Sequence, residues 1–183
     1  MFTMHPPLSF FQRLAVWWSY FWRATLATLP IWLGAIVLLF VFYLTARHGM
    51  VPKLGENGAF GLAVLVIFGL LAAVVVLSLP IVGYMTRRAF ARHGLTVPER
   101  YSFRQAVMLG LTTWGWTIVV SLAGNLLAYP FKHVVAASPG WMLLLQLVML
   151  CVGILGAMYV VMPRQARRLR IQTGDPAVLA EML

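Results

Sequence analysis

Four long apolar runs constrain this chain more than anything else in it: Ala24 to Leu44, Ala59 to Met85, Gln105 to Tyr129 and Trp141 to Met162. Each exceeds the roughly 20 residues a helix needs to cross a hydrocarbon layer of about 30 Å at 1.5 Å per residue. A water-soluble alternative fails on composition. The chain is 62% hydrophobic and only 10% charged, whereas a soluble domain is about half apolar and a quarter charged. In lipid a helix satisfies its own backbone, which an isolated strand cannot do. The expected fold class is therefore all-α: a polytopic integral membrane protein with four transmembrane helices, residues 1–183 forming a single membrane domain.

The intervening segments, 1–23, 45–58, 86–104, 130–140 and 163–183, all fall below the roughly 40 residues at which a chain folds without metals or disulfides. No soluble domain is expected. The single cysteine, Cys151, excludes an internal disulfide and a cysteine-based zinc site within one chain, and reads as a small apolar residue in mid-span. The first apolar run is too long for a cleaved signal and has no small-residue cleavage pattern at its end, so it is expected to persist as an anchor.

Orientation follows from the basic residues. Of the 14 Lys and Arg, eleven fall on one side of the expected spans: Arg13 and Arg23, the middle-loop group Arg87, Arg88, Arg92, Arg100 and Arg104, and the tail group Arg164, Arg167, Arg168 and Arg170. Only Arg47, Lys53 and Lys132 fall on the other. Because positive charge in short loops is retained inside, both termini are expected in the cytoplasm. The expected location is a bacterial-type cytoplasmic (inner) membrane. The net charge of +10 sits beside membrane spans, so it reads as topology and attraction to anionic headgroups rather than nucleic-acid binding. Arg87, Arg88, Arg92, Arg164, Arg167 and Arg168 are the expected contacts with anionic lipid or an acidic partner.

Ser9 and Gln12, then Ser102 and Gln105, have the spacing of capping boxes that open helices. Between Ser9 and Arg23 the aromatic residues Phe10, Phe11, Trp17, Trp18, Tyr20, Phe21 and Trp22 predict an interfacial helix over 9–23 that turns into the first span near Arg23. Pro30 and Pro80 should bend their helices, Gly94 should cap the second in the left-handed region, and Tyr129-Pro130 should end the third. Residues 9–94 and 102–174 repeat an order of cap, span, basic residue plus His, span, arginine-rich extension and glycine, the pattern of a duplicated hairpin.

Every Asp, Glu and His lies in a loop or tail. Intramembrane proton carriers and haem-binding helices retain ionisable groups in their spans because only function sustains their cost there. No cofactor is expected. The third run instead carries Thr113, Thr117, Ser121 and Asn125, each four residues after the last and thus on one face. With Gln146, placed at the same depth as Asn125 on the next helix, they form a polar stripe that reads as a helix-packing seam. The outer-face set His48, His133 and Glu56 has the composition of a metal site but no fixed spacing. An enzyme would have to draw its acid or base from Glu99, His93, Asp175 or Glu181.

These features favour a non-catalytic accessory, assembly or scaffold subunit that acts through helix packing with a larger membrane partner or with itself. The competing expectation is an oligomeric transporter or channel for a neutral or lipid-like solute.

Overall fold

The computed structural model describes residues 7–47, 56–135 and 139–174, and every regular element among them is helical. Four stretches are long and apolar enough to cross a membrane. They are α1 (Phe10–Arg47), α2 (Glu56–Arg92), α3 (Phe103–Val135), and a composite fourth helix made of α4 (Pro139–Gly156), a π turn (Ala157–Val161) and α5 (Met162–Gln172). Helix α2 packs against both α1 and α3, α3 packs against α4, and the π turn with α5 closes back onto α1, α2 and α3.

Two boundaries differ from the sequence reading. No separate interfacial helix precedes the first span, because α1 runs unbroken over 38 residues from Phe10, about 57 Å at 1.5 Å per residue. No glycine or proline interrupts it before Pro30. Arg23 needs no exit into a loop either: its Nη1 donates to Ser19 Oγ one turn back at 3.1 Å, and its guanidinium lies over the Trp22 ring. Likewise α3 continues past Tyr129-Pro130 to Val135. A proline removes one donor and crowds the carbonyl four residues earlier, which is tolerable near a helix end.

Both capping boxes form. Ser9 N donates to Gln12 Oε1 at 2.8 Å and Gln12 N to Ser9 Oγ at 3.4 Å. The same reciprocal pair joins Ser102 and Gln105 at 2.8 and 3.3 Å. Helix α2 ends as its glycine predicts: Gly94 adopts φ 70°, and Leu95 N reaches back to the Phe90 carbonyl at 3.1 Å. That bond folds Leu95 onto Phe90 within the main apolar cluster, where Val16, Leu109, Met162 and Leu169 meet them.

Helices α2 and α3 approach to backbone contact at two reciprocal points. A Cβ on Gly83 would overlap the Ala106 carbonyl, and one on Gly110 would overlap the Leu79 carbonyl. Small residues permit this approach, and in lipid such packing drives association where apolar burial cannot.

The π turn has an identifiable cause. Met162 N bonds to the Ala157 carbonyl, five residues back, and Pro163 follows with no N–H to continue the ladder. In that register the carbonyl left open is that of Met158. Arg13 of α1 supplies the missing donor, its Nη1 lying 3.4 Å from Met158 O and its guanidinium over the Tyr159 ring at 4.8 Å.

Candidate functional site

The polar residues of α3 divide into a buried member and an exposed row. Thr113 is buried; its hydroxyl donates to the Leu109 carbonyl at 2.9 Å and accepts from Gln165 Nε2 of α5 at 2.8 Å. Thr117, Ser121 and Asn125 follow at one-turn intervals toward the opposite end of the helix and are exposed in the single chain. Thr117 donates to the Thr113 carbonyl at 2.8 Å and Asn125 Nδ2 to the Ser121 carbonyl at 2.9 Å. The polar groups therefore lean on their own helix and leave its surface smooth.

Three cavities meet on this row. One of about 180 Å³ lies between α3 and the fourth helix, bounded by Thr117, Ser121, Gly124, Asn125, Gly153 and Ala157. A second, of about 630 Å³, lies farther along the same pair and includes Asn125, Met142, Gln146 and Met149. The third, of about 330 Å³, faces the other way, where Tyr20 of α1 and Val82 of α2 oppose Thr113, Thr117 and Ser121. Ser121 borders all three. Gln146 and Asn125 share the second cavity, as their equal depth predicts, yet the Asn125 amide turns to Ser121 and among the described residues no hydrogen bond joins the two side chains.

The arginines also divide. Arg87 is committed to the α2–α3 loop: Nε and Nη2 donate to the Pro98 carbonyl at 3.0 and 2.7 Å, and Nη2 reaches the Glu99 carbonyl at 3.1 Å. It also lies over Tyr101, whose phenol is pushed up to about 12 by burial, against the lowering effect of Arg87 itself. Arg164 donates to the Val160 carbonyl at 2.9 Å and stacks 3.4 Å over the Trp116 ring. Arg88, Arg92 and Arg167 are exposed, while Arg168 is half-buried. So of the six arginines expected to contact lipid or a partner, Arg87 and Arg164 also make contacts within the fold.

Sequence reasoning missed Arg13, Gly83, Pro163 and Gln165. Pro163 carried a usable signal, since a proline at a span's end followed by a continuing helix implies a local change of hydrogen-bond register. Gln165 stands four residues from Val161, in line with the face that meets α3. The proposed outer-face metal set falls outside the description: His48 and the side chains of Glu56 and His133 are not among the described parts, nor are Asp175 and Glu181. Comparison of the chain with family models, with curated protein sequences and with solved structures finds no significant match.

Proposed function

We propose that this protein is a non-catalytic accessory or assembly subunit of a bacterial cytoplasmic membrane, with both termini inside, whose α3–α4 groove receives a transmembrane segment of a larger membrane partner. The observation that carries this reading is the exposed row Thr117, Ser121 and Asn125 opposite Gly153 and Ala157, with open space on both sides of Ser121. Small and hydroxyl side chains let helix backbones approach closely in lipid. Among the described residues no titratable side chain lines the three cavities apart from the phenol of Tyr20, which suits a helix as occupant better than an ion or a proton. The exposed Arg88, Arg92 and Arg167 add attraction to anionic headgroups.

The continuity of the three cavities at Ser121 favours one other reading, passage of a neutral or lipid-like solute. A photo-crosslinking residue at position 121, followed by purification in mild detergent and mass determination, separates them. The accessory reading expects a crosslink to one membrane protein in stoichiometric yield. Crosslinks confined to lipid, with homo-oligomers that pass a neutral solute across liposomes, would replace it with the transporter.

A further inference from the structure

A separate cavity, of about 480 Å³, opens at the arginine-rich end between the first turn of α3 and the last turns of α5, bordered by Ser102, Arg104, Gln105, Met108, Arg168 and Gln172. Among the described residues its charged side chains are Arg104 and Arg168, from different helices, and no carboxylate borders it. The adjoining arginines Arg87 and Arg164 are already bonded to backbone carbonyls.

The backbone adds to the positive potential. The capping box occupies the amides of Ser102 and Gln105, which leaves those of Phe103 and Arg104 at the start of a 33-residue helix, where an anion is favoured. An independent observation concerns the opposite wall: the Oε1 of Gln172 is buried without a hydrogen-bond partner. A buried acceptor of this kind calls for a donor. Met108 and Ile171 give the cavity an apolar side, and Phe103 and Met108 are exposed beside it where the membrane-crossing stretch of α3 begins.

We infer that this cavity binds the headgroup of an anionic phospholipid of the phosphatidylglycerol type. The phosphodiester lies against Arg104, Arg168 and the two open amides, a headgroup hydroxyl donates to Gln172 Oε1 once the half-buried Gln172 side chain turns toward the cavity, and the acyl chains leave past Met108. Both features of the ligand are required by the walls: a negative phosphodiester by the paired guanidiniums, and a hydrogen-bond donor beyond it by the orphaned acceptor. Phosphatidylcholine lacks the net charge and the donor, and phosphatidylmethanol has the charge alone. The site is independent of the accessory role proposed for the α3–α4 groove.

The test uses the full chain in mixed-lipid nanodiscs, with lipid retention read by native mass spectrometry. Arg104→Gln with Arg168→Gln should lower retention of phosphatidylglycerol about tenfold or more, whereas Arg88→Gln with Arg92→Gln, equal in charge lost at the same end, should have a much smaller effect. The unchanged protein should prefer phosphatidylglycerol over phosphatidylmethanol by about fivefold, and Gln172→Leu should erase that preference while leaving phosphatidylmethanol bound. Equal losses in the two arginine pairs would reduce the site to net charge and overturn it. So would an unchanged lipid preference in Gln172→Leu. Displacement of the lipid by soluble glycerophosphoglycerol would assign the cavity to a free phosphodiester and overturn the lipid as its source.

Discussion

The two ends of this molecule are built from the same apolar vocabulary and are packed very differently. At the arginine-rich end Leu109 and Leu169 are 0% exposed, the loop after α2 is folded into the apolar cluster, and four helical stretches converge. At the far end Phe60 is 73% exposed and Leu126 74%, and among the described residues α4 packs mainly against α3. The contrast teaches that hydrophobicity inserts such a chain but does not close it. In lipid an exposed leucine costs little, so closure occurs where backbones can touch or polar groups can bond. Here those places are Gly83, Gly110, Thr113 with Gln165, and Arg13 with Met158, all toward one end.

The largest test of that contrast is to add the same bulk at both ends. Gly110→Leu should prevent stable folding, since its side chain would have to displace the Leu79 backbone, a cost on the order of 3 kcal/mol or more. Gly69→Leu, with nothing within 4 Å, should leave the unfolding midpoint in a detergent titration unchanged. Equal tolerance at both glycines would break the comparison.

Removing bulk should give the next largest difference. Leu169→Ala is expected to cost about 2 to 5 kcal/mol, whereas Leu126→Ala should stay within about 0.5 kcal/mol, both read from the same titration.

Arg13→Ala should follow at about 2 kcal/mol, because the Met158 carbonyl loses a charged donor. The exposed Arg88→Ala serves as the control and should lie near zero. Amide exchange in residues 157–163 should rise only in the Arg13 variant; a flat exchange profile there would remove the latch from the account.

The smallest expected effect concerns the buried polar pair. Gln165→Leu should cost about 1 kcal/mol, and a double-mutant cycle with Thr113→Val should show coupling of similar size, given their 2.8 Å bond. Additive losses would mean that Thr113 is held only by its own helix.

How legible was this in the sequence? The spans were, because hydropathy over 20 residues is a summed signal and lipid enforces it. The Ser9 and Ser102 caps and the positive φ of Gly94 were also legible, since each is decided by residues within five positions. The onset of α1 was not: aromatic residues prefer the interface but do not break a helix. The division of the α3 row was hidden as well. Periodicity placed Thr113 and Asn125 on one face, but which of them would be covered depended on Gln165, 52 residues away. Arg13 and Met158 are 145 residues apart, and nothing local to either announces the other.

The π turn sets a phase for the whole molecule. On the fourth helix Met149, Gly153, Ala157 and Val161 border the cavity against α3, Gln165 bonds to Thr113 and Leu169 lies in the cluster with Leu109. This row advances four residues at a time and would drift about 40° per step around a regular α-helix, reaching the far side within about five steps. The wider turn resets that drift midway. Deleting a single residue between 157 and 161 would let the turn close as regular α-helix and leave the faces beyond it in place, whereas a deletion in the regular helix between 149 and 156 would rotate everything beyond it by about 100°, swinging Gln165 off Thr113 and Leu169 out of the interior. In a loop, one residue more or less is a change of length; in a regular helix it is a frameshift of faces, and the π turn is the point where the extra residue is absorbed.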